Sequence, residues 1–173
     1  MTVEWFKNRF KTDQGAEHDG SMTPRNKIEA VSWEKDPTKL HAYLDDTNHY
    51  YVQCAAAINK NATKENIDKA LGVENYSDAK EHIDGLLING SAVRAAAAGN
   101  QNATKEHLDR ALGDNDAVVR ESAAGNQNAT KEHIDKALMD KTNAVRYAAT
   151  NNPVYKQHYP NGHTIVNGKV VAK

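Results

Sequence analysis

Apolar residues recur along this chain at spacings of three and four, within short segments that are separated by polar turns. In one such segment Leu108, Ala111 and Leu112 occupy positions i, i+3 and i+4, which share one face of a helix. Thr104 precedes them as an N-cap residue, and Glu106 places a negative charge in the first turn, where the helix dipole favours it. The pattern predicts a short amphipathic helix.

The segment is one copy of a repeat. Residues 102–112 return 26 residues later as residues 128–138, and residues 61–71 are a third copy with the same apolar face. A looser fourth copy covers residues 80–87 and predicts a further helix of the same kind. The spacing between copies is irregular after residue 72, where only residues 72–75 remain as a connector.

A second motif alternates with the first one. It covers residues 92–99, 118–125 and 144–150, with an earlier relative at residues 51–57, and it is built from Val-Arg followed by small residues. Val119, Ser122 and Ala123 show the helical spacing again. Because helices this short are marginal alone, we expect neighbouring repeats to stack and to bury each other's apolar faces.

Read in order, the motif is Val-Arg-x-x-Ala-Ala-x-Asn, a turn, Thr-x-Glu-x-Leu-x-x-Ala-Leu, Asp and then Val-Arg again. It resembles the leucine-rich repeat variant, a short relative of HEAT repeats, over residues 36–153. The resemblance implies an all-α, right-handed α-solenoid whose groove recognises a partner. The repeats are also similar to ones in tailed-phage proteins. Some members of the variant family hold an iron–sulfur cluster through several cysteines, whereas this chain has only Cys54.

The two ends differ from the array. We expect residues 1–35 to form an N-terminal helical cap with a polar linker, although the aromatic residues 1–11 also suit an amphipathic segment that docks on a partner. Pro24 marks a helix start. Residues 154–173 are predicted to be a C-terminal extension, in which Asn167 and Gly168 form the turn of a small β-hairpin. That hairpin either covers the last helix pair or joins the sheet of another chain.

Composition narrows the class of protein. Hydrophobic residues make up 39% of the chain, aromatic residues only 6%, and the net charge is −1. A core rich in alanine suits an elongated stack better than a sphere, and the neutral charge predicts no general attraction to nucleic acid or to anionic membranes. One cysteine and no long apolar segment favour a soluble, cytoplasmic chain without a cofactor, in host cytoplasm or virion if it is phage-encoded.

Arginines recur at one position of the second motif, and two interpretations of this Arg row (Arg94, Arg120 and Arg146) stay open. A regular row of guanidinium groups can bind phosphates or carboxylates. Alternatively, Asp114 and Asp140 stand six residues before the next arginine, a spacing that resembles the Asp–Arg ladder between HEAT repeats. The favoured interpretation is structural.

Histidines recur in the first motif at His82, His107 and His133. Repeat spacing separates them too far to hold one metal ion, whose ligands lie about 2 Å away. Each residue stands at the edge of an apolar face, so we expect solvated or partly packed histidines and no metal site.

The most variable positions of the second motif predict the binding surface. Tyr51, Glu121 and Tyr147 differ between matched copies, which suggests exposure, and so does Cys54. Aromatic side chains dominate binding hot spots, so two tyrosines are the expected anchors. The predicted partner-binding residues are Tyr51, Arg94, Arg120, Glu121, Arg146 and Tyr147.

The sequence contains no phosphate-binding glycine loop, no zinc motif, no Gly-x-Ser-x-Gly and no paired carboxylate signature. We therefore expect a non-catalytic, protein-binding repeat module that acts as an adaptor, an inhibitor or an assembly or virion accessory component. The alternative is a HEAT-like nucleic-acid binder that uses the Arg row. An enzyme would rest on analogy of fold alone.

Overall fold

The computed structural model describes residues 24–46, 49–74, 81–83, 86–88 and 90–173, and this part of the chain is mostly helical. The expected N-terminal helix and linker over residues 1–21 lie outside the described residues. Ten helices fall within the described ranges: α1 Pro24–Trp33, α2 Pro37–Tyr43, α3 Tyr50–Ile58, α4 Lys64–Leu71, α5 Gly90–Ala98, α6 Lys105–Ala111, α7 Ala117–Ala124, α8 Lys131–Leu138, α9 Asn143–Asn151 and α10 Pro153–His158.

The helices of the first motif begin where their caps predict. Thr63, Thr104 and Thr130 are the N-cap residues of α4, α6 and α8, and each belongs to a capping box. In a capping box the third helical residue turns back to bind the main-chain N–H of the cap. The otherwise orphaned N–H of the cap residue is thereby satisfied at the start of each of these short helices.

The helices pack in a regular order. The helices of the second motif, α3, α5, α7 and α9, contact one another in sequence, and α1 packs on α3. On the first-motif side, α4 contacts both α2 and α6, and α8 contacts α10. The helices made by neighbouring repeats are therefore neighbours in space.

The core is formed by the predicted apolar positions. Ile67, Leu108 and Ile134 occupy the matched position of three repeats, and all three side chains are fully buried. Alanines such as Ala96 and Ala123 fill the corresponding places of the second motif. Small side chains there let the short helices approach closely.

The prediction of a helix over residues 80–87 is wrong. Strand β1 (Glu81–Ile83) pairs antiparallel with β2 (Leu86–Ile88), with His82 opposite Leu87. The sequence between the strands is Asp84-Gly85, and Asp-Gly is among the strongest signals for a two-residue hairpin turn. That turn signal outweighs the likeness of the segment to the helical copies.

The predicted C-terminal hairpin is confirmed. Strands β3 (His163–Val166) and β4 (Lys169–Ala172) pair antiparallel, and both turn residues have positive φ, 50° at Asn167 and 70° at Gly168. Its contacts agree with the first of the two alternatives, in which the hairpin packs on helices of its own chain, and joining the sheet of another chain stays a prediction. Strand β4 contacts α8, and the Tyr155 hydroxyl lies 3.0 Å from Nδ1 of His163.

Within the described ranges, no helix combines the length and the apolar character that crossing a membrane requires.

Candidate functional site

Two arginines of the Arg row, Arg94 and Arg120, bind carboxylates of the same chain. Arg94 Nε donates to Asp114 Oδ2 at 2.7 Å and its Nη2 to Oδ1 at 3.1 Å. Arg120 binds Asp140 in the same way, at 2.7 Å and 3.2 Å. Each pair is the bidentate fork that suits a guanidinium and a carboxylate, and each joins one repeat to the next.

The structural interpretation of this row is supported, with one correction. The aspartate six residues before Arg120 contributes only its main-chain oxygen, which accepts from Nη1 at 2.9 Å, while the carboxylate comes from the following repeat. Hydrogen bonds from Arg120 hold the pKa of Asp140 below its usual value. Burial is the largest single influence on the pKa of Asp114 and would raise it. The hydrogen bonds from Arg94 and from the Asp116 N–H, together with the charges of Arg94 and Arg120, outweigh burial, so the pKa is lowered.

Arg94 and Arg120 do not have the exposed, unoccupied guanidinium groups that a binding surface requires. Both side chains are buried, and both forks are occupied by carboxylates. The expectation that these two arginines face a partner is wrong, because they hold neighbouring repeats together.

Arg146 is the last member of the Arg row and is bound differently. Its Nη1 donates to the main-chain oxygen of Asp140 at 2.6 Å, as Arg120 does to Asp114. The residue that would supply the carboxylate, 20 positions further along the chain, is Val166. Arg146 is half-buried, and no described carboxylate pairs with it.

His107 and His133 are fully buried, so the expectation of solvated or partly packed histidines is wrong. In each ring Nδ1 accepts from the main-chain N–H of the N-cap threonine, Thr104 or Thr130, at 2.9 Å. Nδ1 thus carries no proton, and Nε2 carries the hydrogen. The Nε2 atom of His133 lies 3.0 Å from the Asp109 carboxylate of the preceding repeat.

We call the matched positions of His107 and His133 the His row, and other residues fill this position in α4 and near the C-terminal end of the chain. Asn66 replaces histidine in α4 and accepts from the Thr63 N–H at 2.9 Å. Tyr159 stands 26 residues after His133, and its hydroxyl donates to the carboxylate of Asp135. Burial first, and then this hydrogen bond, raises the pKa of Tyr159. Asp135 occupies the motif position of Asp109, and Tyr159 binds it as His133 binds Asp109. The side chain of His82 lies outside the description.

A row of buried asparagines is the feature that sequence reasoning missed. The Nδ2 group of Asn126 donates to the main-chain oxygens of Ala98 and Asn100 at 2.7 and 2.9 Å, and its Oδ1 accepts from the N–H of Asn128 at 2.8 Å. The same contacts, each with the preceding helix end or turn, are made by Asn59, Asn100 and Asn152. The sequence signal that could have found this row is the recurrence of asparagine at positions 100, 126 and 152, at intervals of 26 residues.

The predicted anchors divide into one buried and one exposed tyrosine. Tyr51 is only 3% exposed and Cys54 is buried, so the inference of exposure from variability is wrong at α3. Tyr147 on α9 is 72% exposed, Val118 on α7 is 45% exposed, and Glu121 is exposed as predicted. We call Val118, Glu121 and Tyr147 the α7–α9 face.

A shallow depression of about 550 Å³ adjoins this face. Val118 and Glu121 line one side, and Ala148 of α9 and Gln127 line others. Its openness to solvent suits contact with a side chain of another molecule better than enclosure of a small substrate.

In the part of the chain that the structure describes, no three His, Cys, Asp or Glu side chains are grouped as a metal site would need. Comparison of the chain with protein-family models, with curated proteins and with solved structures finds no match.

Proposed function

We propose that this chain is a non-catalytic module that binds another protein through the α7–α9 face. The observation that carries the proposal is the exposure of Tyr147 on a regular helix. A tyrosine side chain supplies a large contact area at little cost in conformational entropy, which is why tyrosines are frequent in binding hot spots. Val118 adds apolar area and Glu121 adds a charge for specificity.

The same face is not offered by the earlier repeats. Ala95 of α5 and Cys54 of α3 occupy the position of Tyr147 in their motifs, and both are buried. Binding by this mode is therefore assigned to the last two helices of the second motif, and Tyr51 is not part of it.

We further propose that the helices form a right-handed α-solenoid of the leucine-rich repeat variant kind. The sequential packing of α1, α3, α5, α7 and α9 supports this architecture, and so do the side-chain contacts that recur at each junction. Within it the chain acts as an adaptor, an inhibitor or an assembly component. Cytoplasm or virion is the location that the phage-like repeats favour.

The competing proposal of nucleic-acid binding depended on the Arg row. Two of its three arginines are occupied by Asp114 and Asp140, so they offer no free fork to phosphates. The protein-binding proposal is favoured for this reason.

The proposal is tested by copurification from the native source after nuclease treatment. The variant Val118→Ser/Tyr147→Ser removes the apolar part of the face. A matched control, Trp33→Ser/Met139→Ser, removes two other exposed apolar side chains, which are 63% and 47% exposed. We expect the face variant to bind the partner about tenfold more weakly or worse, which is equivalent to about 1.4 kcal/mol in binding free energy, while the control variant retains the affinity. Equal recovery by both variants, with unchanged circular dichroism, would exclude the face.

A further inference from the structure

We infer that Arg146 is a receptor for a carboxylate, an aspartate or glutamate side chain presented by the partner protein. The inference rests on the proposed function, because it names the chemistry that accompanies Tyr147 at the same end of the chain. It concerns the one arginine of the Arg row whose fork is not occupied by a described carboxylate.

The two earlier members of the Arg row define the geometry of such a receptor. In both, Nη1 is fixed by main-chain oxygen and the opposite edge of the guanidinium, Nε and Nη2, grips both oxygens of one carboxylate. The Nε distance is 2.7 Å in each pair. The chain thus builds the same carboxylate site twice, from the same motif.

Arg146 repeats the first half of this arrangement. Its Nη1 is held by the Asp140 main-chain oxygen, and this hydrogen bond is its only one among the described residues. Anchoring by Nη1 orients the guanidinium before any ligand arrives, so less conformational entropy is lost on binding. The described residues supply no acid to the Nε and Nη2 edge, and Val166 stands at the position that corresponds to Asp114 and Asp140.

The other rows do not end in this way. Asp135, the last aspartate of the His row, is satisfied by Tyr159 and by Lys131, whose ammonium lies 2.6 Å away. Asn152, the last asparagine of its row, binds the N–H of Val154 and so caps α10. The chain completes these two rows with its own residues, whereas in the part that the structure describes no carboxylate completes the Arg row at Arg146.

The surroundings favour a single carboxylate over a polyanion. Glu121 is exposed on the neighbouring helix, and the Asp140 carboxylate is already paired with Arg120. A phosphate backbone would bring several negative charges toward these acids, whereas one carboxylate is matched by one guanidinium.

The test presents the chain's own carboxylate-bearing segment as a separate molecule. The probe is the peptide of residues 138–143, acetylated and amidated, which carries Asp140, and the control is the same peptide with Asp140→Asn. Each is titrated into the full ¹⁵N-labelled chain while the Nε–Hε cross-peak of Arg146 and the amide of Tyr147 are followed by NMR. The Nε–Hε cross-peak of Arg120 marks the position of an occupied fork.

We expect the Asp140 peptide to move the Arg146 cross-peak downfield toward that of Arg120, and the control peptide to leave it in place. In Arg146→Lys, which keeps the charge but loses the fork, the Tyr147 amide should stop responding. Equal effects of the two peptides would overturn the inference, and so would a larger shift with inorganic phosphate at the same ionic strength. The titration requires no native partner, so it can fail while the α7–α9 face still binds one, and the reverse also holds.

Discussion

Replacing Asn126 with alanine should be among the most destabilising single changes in this chain. The side-chain amide is 5% exposed and makes two hydrogen bonds to carbonyl oxygens of the preceding repeat and one within its own turn. Leaving a buried carbonyl without its donor costs about 1–3 kcal/mol. The Asn100 oxygen also accepts from the Ala103 N–H and keeps that hydrogen bond. Most of the destabilisation therefore comes from the Ala98 oxygen, which loses its donor, and from the Asn128 N–H in the turn, which loses its acceptor. We expect a loss of about 2–4 kcal/mol.

Asn128→Ala is the matched control. Its Nδ2 also donates to two carbonyl oxygens, those of Gln101 and Ala103, at 2.7 and 2.9 Å. This side chain is exposed, so water replaces the lost donor and the expected cost is about 0.5–1 kcal/mol. The two variants thus differ in burial while the number of donated hydrogen bonds is the same.

Equilibrium urea unfolding, followed by circular dichroism at 222 nm, measures both free energies. At this chain length 1 kcal/mol corresponds to about 2–4 °C, so Asn126→Ala should lower the Tm by about 4–16 °C. Asn126→Asp should be at least as harmful at neutral pH, because a carboxylate cannot donate and would face two carbonyl oxygens. Equal costs for the alanine variants at 126 and 128 would refute the argument that burial of the Asn row stabilises the junctions.

Two further changes test the other rows. His133→Ala should cost about 1–2 kcal/mol more than His133→Asn in thermal unfolding, because asparagine already serves as the capping residue at position 66, and equal Tm values would contradict this role. Asp140→Asn should cost about 2–3 kcal/mol near pH 7 by breaking the fork with Arg120. Since the folded pKa of Asp140 lies below its usual value of 3.8, the advantage of the wild type is fully present above that pH and is lost as the pH falls through the folded pKa. A difference in unfolding free energy that persists undiminished in strong acid would show that the carboxylate charge is not its source.

The helices of this fold could be predicted because their signals are local. The apolar face of Ile134, Ala137 and Leu138 and the cap at Thr130 lie within nine residues of one another, and the structure places α8 there. The Asn167-Gly168 turn is also a local signal. The helix prediction for residues 80–87 is wrong because two local signals conflict there. The segment resembles the helical copies, but it also contains the Asp-Gly pair that is typical of a hairpin turn.

The candidate site was harder to predict because it depends on contacts between repeats. A single sequence shows that arginine and aspartate recur, but only the packing shows that Arg120 pairs with the aspartate 20 residues later and not with the one six residues earlier. The solvent exposure of a side chain likewise depends on contacts between repeats and not on its place within the motif. Tyr51 and Tyr147 occupy comparable variable places of the motif, yet one is buried and the other is exposed.

The polar rows explain how a chain with so thin a core can keep its repeats in register. Alanines fill much of the interior, and small apolar side chains fit one another at several offsets, so they give little preference for one alignment of neighbouring helices. An asparagine that must reach two defined carbonyl oxygens, or an arginine that must grip both oxygens of one aspartate, is satisfied at a single offset. This division of roles has a consequence for binding. Most of these polar groups are already satisfied within the chain, so they offer a partner few contacts. We therefore expect a partner to gain its contacts at Arg146, whose fork holds no described carboxylate, and at the exposed side chains of the α7–α9 face.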